Sequence, residues 1–374
     1  MRATVIPSFA RILADDLLQK AQPIGAASEH LRSAVEWLQL AQDRAANGGV
    51  SYGYSVRGGW RPAYIETSGY ILITFFDVAK RWADAQLRER AVRAGQWLTQ
   101  VQRQDGSFAN PRFGTSGIVF DTGQVLLGLV RAFDETQDES FLAAAERAAD
   151  WLVQVSDSSG RWTRCTYRGV PHAYNTRVAW ALLEADRRIG RRDGRRERVA
   201  RANLDWAVSQ QRRGGWFQQC GFEAEEAPFT HNIAYAVRGL LESGRLLKDA
   251  QYEQSAVFGA EAALSHIRGD GFIPGRITAD GRAAADYCCL TGNCQLSIIW
   301  STLHEQTGHE RYKVAAVHSL RYVMATQDTS TPDVNVRGAI KGSQPVWGRY
   351  APMSFPNWAT GFYVDALLRA EPWL

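Results

Sequence analysis

Lysine is scarce in this chain of 374 residues: Lys20, Lys80, Lys248, Lys313 and Lys341 are the only five. Arginine carries the rest of the positive charge, and the net formal charge is only +4. The one dense basic run, Arg187-Arg188 to Arg198, is broken by Gly190 and Gly194. It reads as a solvated helix connection rather than a nucleic-acid patch, so no nucleic-acid partner is expected. Cysteine is also sparse: five residues, an odd count, with Cys288, Cys289 and Cys294 crowded together. That pattern does not make a disulfide framework. No apolar run approaches the roughly 18 residues of a membrane span. Met1 to Gln19 carries Arg11, Asp15 and Asp16 and lacks both a long apolar core and a small-residue cleavage site. No signal peptide is therefore read, and a cytoplasmic location is the default expectation.

What the chain does have is repetition. A phrase beginning Trp97-Leu98 passes Gln102 and closes on Asp105-Gly106-Ser107-Phe108. It recurs from Trp151-Leu152 to Gly160-Arg161-Trp162, and from Trp206 and Gln210 to Gly214-Gly215-Trp216. Trp37-Leu38 with Gln42 and Gly48-Gly49 is an earlier copy, Ala263-Leu264 to Asp270-Gly271-Phe272 a weaker one, and Tyr322 with Gln327 a remnant. Subtracting successive positions of Gly49, Gly106, Gly160, Gly215 and Gly271 gives 57, 54, 55 and 56. A fixed period means one supersecondary unit copied along the chain.

Each period holds two helical segments. One, such as Leu87 to Gln102 or Ser140 to Gln154, is amphipathic and charged. The other, such as Gly69 to Trp82, Gly123 to Phe133 or Ile233 to Leu247, is apolar nearly all round. The first suits a helix facing solvent and the second a helix buried on every side. Six such hairpins predict an all-α fold, an (α/α)6 toroid over residues 29–374 preceded by an N-terminal extension, 1–28. The first outer helix, Glu29 to Gln42, is expected to pair with the last inner helix, Asn357 to Leu368. An open solenoid is the alternative.

The predicted inner-helix starts are polar and aromatic: near Glu66, Asp121, Asn175, Thr230, Thr291 and Asn357. Asp, Asn and Thr there suit helix caps, which need no chemistry. Glu66 is a poor cap and stands among Trp60, Arg61, Tyr64 and Tyr70. Glu66 and Asp121 head neighbouring hairpins, and two carboxyls across a cleft are the minimum for acid/base work on a glycosidic bond. His231 and Tyr174 are further candidate proton carriers. Trp60, Tyr64, Trp347, Tyr350 and Trp358 offer flat faces to sugar rings. Arg61, Arg177, Arg337, Lys341 and Arg349 offer charge to a carboxylate or sulfate. Asn175, Asn293 and Asn357 complete the candidate binding set. The segment from Asp333 to Trp358 departs furthest from the repeat and reads as an ordered loop over the funnel.

The Gln102-to-Phe108 phrase resembles the glutamine-tryptophan repeat of squalene cyclases and protein prenyltransferases. The Asp-x-Asp-Asp motif of class II terpene cyclases is not present. The stretches Glu66-Thr67-Ser68-Gly69-Tyr70 and Phe120-Asp121-Thr122-Gly123, at inner-helix starts, resemble the six-hairpin carbohydrate enzymes: unsaturated glucuronyl hydrolases, polysaccharide lyases and the helical domain of glucuronyl C5-epimerases. Cys289 to Asn293 and Gly338 to Trp358 resemble proteins associated with bacterial exopolysaccharide synthesis. These resemblances imply an enzyme acting on an acidic oligo- or polysaccharide without a cofactor. The prenyltransferase resemblance implies an alternative zinc set of Asp286, Cys288, Cys289, Cys294 and His231. A non-catalytic glycan-binding module is the third expectation.

Overall fold

The computed structural model describes residues 8–110, 114–190 and 193–374. Met1–Pro7, at the head of the segment read for a leader, and Arg191-Arg192, in the basic run, lie outside the described residues. A short helix, α1 (Ser8–Leu17), precedes twelve helices that alternate between two layers. The outer layer is α2 (Ala27–Ala45), α4 (Ala85–Val101), α6 (Glu139–Val155), α8 (Arg195–Ser209), α10 (Ala250–Leu264) and α12 (Glu310–Met324). The inner layer is α3 (Ile65–Trp82), α5 (Val119–Thr136), α7 (Thr176–Ile189), α9 (Thr230–Leu247), α11 (Leu290–Thr307) and α13 (Asn357–Ala370).

Burial sorts the layers as the patterning predicts. In α11 every residue from Leu290 to Leu303 is buried, whereas α4 buries only Leu87, Ala91, Ala94, Gly95, Trp97 and Leu98, a single stripe. Each inner helix packs on the next, and α13 packs on both α3 and α2. The ring therefore closes, and the last inner helix pairs with the first outer one. The solenoid alternative is excluded. Among the described residues no helix is long and apolar enough to cross a membrane. The basic run is largely spent on ion pairs: Arg188 with Asp134 and Glu184, Arg195 with Asp193, Arg196 with Asp150 and Asp186.

The repeated phrase proves to be a joint between neighbouring outer helices. The Gln102 amide donates to Gly106 O at 2.9 Å and to Ala144 O of α6 at 2.8 Å. Gln42 ties Gly48 O to Arg90 O of α4 in the same way. Gln327 ties Gly338 O to His30 O of α2 and so fastens the end of the ring to its beginning. At the third and fifth turns an asparagine does this work. Asn203 of α8 donates to Gly160 O, and Asn293 of α11 donates to Gly271 O and Ser319 O. The turn glycines stand in the left-handed region: Gly106 at φ 90°, with a would-be Cβ 2.3 Å from Arg147 O, and Gly338 at φ 79°, with one 2.1 Å from Ser33 O. Only glycine fits so close to a neighbouring backbone. Two details of the sequence reading are corrected. The fourth-repeat glutamine is Gln211, which reaches Gly215 O and Ser255 O, not Gln210. The first turn uses Gly48, at φ 96°, not Gly49.

Candidate active site

Side-chain caps occur at three of the outer helices and at none of the inner ones. Asp84, Asp138 and Asp249 cap α4, α6 and α10, their carboxylates accepting first-turn backbone N–H groups. The residues preceding the inner helices are Tyr64, Ile118, Asn175, Phe229, Cys289 and Pro356, and none gives a side-chain cap bond. The cap reading of Asn175, Thr230 and Asn357 is thereby corrected. Thr230 donates to Pro274 O, and Asn357 donates to Ser51 O across the neighbouring strand. The first N–H groups of α5, α9, α11 and α13 donate instead to the backbone carbonyls of Cys165, Gly275, Gly342 and Tyr52, and the helix dipoles leave partial positive charge at these starts.

At the funnel floor lies a pocket of about 460 Å³. Its wall is aromatic: Tyr52, Tyr64, Tyr70, Phe120, Tyr167, Tyr174, Phe222, Phe229, Tyr235, Tyr350 and Trp358. Set into it are Glu66, Asp121, Asn232, His231 and Arg349. Glu66 is the second residue of α3 and Asp121 the third of α5. The two are therefore one position out of register rather than equivalent, and they turn to the same cavity from adjacent helices.

Glu66 accepts the Tyr64 hydroxyl at 2.8 Å and the Tyr70 hydroxyl at 3.0 Å, one on each oxygen. Tyr70 reaches it because i and i+4 share a helix face. Asp121 accepts the Asn110 amide at 3.1 Å, and the same Asn110 nitrogen donates to Tyr64 Oη at 2.7 Å. The carboxyls are thus joined through Tyr64 and Asn110. Burial raises the pKa of Glu66, while the two hydroxyls and the charge of Arg177 pull it back. Burial raises that of Asp121 well above the usual carboxylate range, and the negative charge of Glu66 raises it further. Two hydroxyls and a cation favour the charged form of Glu66, whereas a neighbouring anion disfavours that of Asp121, so of the coupled pair Glu66 ionises the more readily and Asp121 holds its proton the longer.

Arg177 acts from beneath this floor. It is 3% exposed, its Nε donates to Gln124 Oε1 at 2.5 Å, and Tyr70, Trp180, Tyr235 and Phe362 surround its guanidinium. Below it Asp365 accepts the Thr74 hydroxyl, and burial lifts its pKa to about 6.

His231 lies in an aromatic box, with the Tyr350 ring centroid 4.4 Å away and Cys289 Sγ 3.8 Å from Nδ1. Burial first, and then the charge of Arg276, depress its pKa to about 3, so the ring is neutral at ordinary pH. Tyr174 stacks on His172 at 4.5 Å, and burial raises its pKa well above 10.

Of the residues chosen from sequence, Tyr64, Glu66, Asp121, Tyr174, His231, Arg349, Tyr350 and Trp358 line this pocket. The others do not. Trp60 packs on Trp37 and donates to Asn335 Oδ1, and Arg61 lies over the Tyr52 ring, behind the wall. Arg177 is sealed under the floor, Asn175 is buried at the head of α7, and Asn357 is held by Ser51. Asn293 serves the fifth joint. Lys341 is consumed by a buried ion pair with Asp16, and Trp347 faces a different cleft.

The residues of the alternative zinc set face different ways. Cys288 Sγ turns to Asn293 Oδ1 at 3.1 Å, Cys289 turns to His231, and Asp286 borders the cleft under α1. Among the described residues no three His, Cys, Asp or Glu side chains gather in a way that could hold a metal ion.

Sequence reasoning missed Asn110, Tyr52, Phe120, Tyr167, Phe222, Phe229, Asn232 and Tyr235 as site residues. The signals available were position for Phe120, Phe229 and Asn232, which stand at inner-helix starts, and spacing for Tyr235, four residues after His231.

Comparison with known proteins places the architecture. The sequence profile of the squalene-hopene cyclase C-terminal domain matches residues 62–241, from just before α3 into α9. Among curated proteins no sequence relative matches. The fold is that of solved unsaturated glucuronyl hydrolases. One from Bacillus sp. GL1, described as responsible for degradation of glycosaminoglycan, superposes with a TM-score of 0.74 at 18% identity over 92% of this chain and 96% of that one. One described as specific for heparin gives 0.73 at 16% over the same shares. One from Streptococcus agalactiae, complexed with dGlcA-GalNAc6S, gives 0.69 at 14% over 92% and 90%. The chain is an (α/α)6 toroid of that architecture.

Proposed function

We propose that this protein is an enzyme acting on a saccharide that contains a uronic acid, by general acid/base chemistry between Glu66 and Asp121. The observation that carries the reading is the bridged carboxyl pair in an aromatic pocket at the start of α3 and α5. Asp121, held protonated by burial and by its charged neighbour, donates a proton to the substrate. Glu66, ionised, stabilises the positive charge that develops on the sugar or takes a proton from attacking water. The tyrosine, phenylalanine and tryptophan faces supply the stacking surface that a sugar ring needs. The pocket volume lies within the roughly 300–1,000 Å³ of small-molecule sites. Arg349 stands exposed at this pocket and forms no ion pair among the described residues, so it is available to an acidic group. The neighbours of like architecture act on, or hold, acidic saccharides, which supports the same substrate class here.

A second reading has one observation in its favour. A wall of eleven aromatic rings also suits a carbocation, and the stretch matching the cyclase profile supplies most of it. The phenols hydrogen-bonded to Glu66 and the missing Asp-x-Asp-Asp motif favour the saccharide.

The test is a panel of unsaturated uronyl disaccharides, acidic polysaccharides and linear polyprenes. It is followed by loss of the conjugated double bond, new reducing ends, exchanged protons or cyclised product. We expect turnover of a uronyl substrate, reduced about 10²- to 10⁴-fold in Glu66→Gln and in Asp121→Asn with helicity unchanged. Full activity in both variants refutes the assignment. Polyprene cyclisation transfers it to the second reading, and tight binding without turnover reduces the protein to a glycan-binding module.

A further inference from the structure

The pocket wall contributed by Arg349, Tyr350 and Ala351 belongs to a loop between two short strands. These are Ser343–Gln344, paired with Cys288–Cys289, and Ser354–Pro356, paired with Gly53–Ser55. Between the strands the loop folds on itself: Ser343 Oγ donates to Tyr350 O, Tyr350 N donates back to Ser343 Oγ, and Met353 N donates to Val346 O. Ala351 and Met353 sit at φ 44° and 55°, a backbone state that side chains resist and that persists only where the surroundings fix it.

Those surroundings include a residue from the other end of the chain. Asp16, near the end of α1, is 5% exposed and directs both carboxylate oxygens at this segment. Oδ1 accepts Lys341 Nζ at 2.5 Å and Gln344 Nε2 at 3.0 Å, and Oδ2 accepts Val346 N at 2.6 Å. Elsewhere α1 is held by Arg11, which pairs with Asp328, and by Ile12, partly buried against the core. A cleft of about 690 Å³ separates it from the body, and Leu17 is 70% exposed. Asp16 is the one residue of α1 that is buried among the described ones, and its carboxylate takes three donors from the segment 341–346, the chain that leads into this wall.

We propose that Asp16 is a positioning residue for the pocket: α1 is a latch whose carboxylate sets the Arg349–Tyr350 wall, and with it the Tyr350 ring against His231. Tyr350 in turn accepts the Trp358 indole N–H at 2.6 Å, so the latch reaches two rings of the wall. The latch sets the shape of the pocket whatever ligand the pocket takes.

The experiment compares Asp16→Asn with the double variant Asp16→Leu/Lys341→Met in the full chain. Asp16→Asn strands a buried ammonium, which lowers overall stability. The double variant removes that stranded charge but cannot accept Val346 N. We expect hydrogen exchange at Val346, Gly348 and Tyr350 to quicken at least about tenfold in both variants, with α3, α5 and α9 unchanged and the melting temperature of the double variant returning toward wild type. The His231 ring resonance, one of seven histidines and assignable by His231→Asn, is expected to shift as Tyr350 moves. Acceleration confined to Val346 with the His231 resonance in place overturns the proposal. So does loop exchange that recovers together with stability in the double variant, which makes the contact a matter of folding alone.

Discussion

Replacing Gln327 by alanine tests the closed ring most directly. Its side chain is 1% exposed, and four contacts converge on it. Its amide donates to Gly338 O at 2.7 Å and to His30 O at 3.2 Å, and its oxygen meets His30 Nδ1 and accepts the Tyr363 hydroxyl at 3.0 Å. His30 O belongs to a helix, but Gly338 O, the Tyr363 hydroxyl and His30 Nδ1 are left buried without this partner. At about 1–3 kcal/mol for each stranded group, and with neighbours not fully additive, the loss is about 3–5 kcal/mol. Against a typical domain stability of about 5–15 kcal/mol that is a large fraction. Gln211→Ala removes the equivalent joint at a half-buried seam and is expected to cost about 1–2 kcal/mol. Gln210→Ala, whose amide touches only Ser209 Oγ, is expected to stay within about 0.5 kcal/mol. Urea unfolding at neutral pH, followed by circular dichroism and tryptophan fluorescence together, gives the three values. A loss under about 1 kcal/mol for Gln327→Ala, or Gln210→Ala costing as much as Gln211→Ala, refutes the joint as the element that holds the ring shut.

Two further predictions concern charge in the interior. The pKa of Asp365 rises from 3.8 to about 6 on folding, so its ionisation costs stability, absent below the unfolded pKa and in full force above the folded one. At about 1.36 kcal/mol per unit, Asp365→Asn is expected to stabilise the fold by up to about 3 kcal/mol at pH 7 and by nothing at pH 3.5, read from melting curves across pH; no gain at pH 7 counts against the account. The pKa of His231 falls from 6.5 to about 3, the opposite case: its stability is present above pH 6.5 and drains as the pH falls. His231→Phe keeps the aromatic box and is expected to spare up to about 3 kcal/mol of the loss between pH 6.5 and pH 4; an unchanged acid limb refutes it.

The architecture was legible because its signals are local and repeated. Apolar spacing separated inner from outer helices, and the glycine turns counted the hairpins. Glu66 and Asp121 were legible because carboxyls are conspicuous on apolar helices. What failed was whatever depended on distant partners. Lys341 looked available to a substrate because its anion lies 325 residues away. Arg177 was placed in the funnel because nothing in the sequence shows which side of a buried helix faces the cavity. Gln210 was preferred to Gln211 because one residue of register leaves periodicity almost unchanged but turns the side chain about 100° around the axis. The aromatic wall was hidden by abundance: where 11% of residues are aromatic, those lining a pocket and those packing a core read alike.

The lack of side-chain caps on the inner helices carries a consequence for how the pocket meets ions. Inner helices whose starts carry no side-chain cap border the floor of the funnel, so part of its positive character comes from helix dipoles rather than from lysine or arginine. Mobile salt neutralises an exposed side chain readily but reaches fixed dipoles at the bottom of a narrow aromatic well poorly. An anionic ligand should therefore be held by two forces that differ in salt response: a steering pull from Arg349 at the mouth that fades with ionic strength, and a grip at the floor that persists. Association should slow in salt while dissociation barely changes, the signature of a site that attracts with a side chain and retains with its backbone.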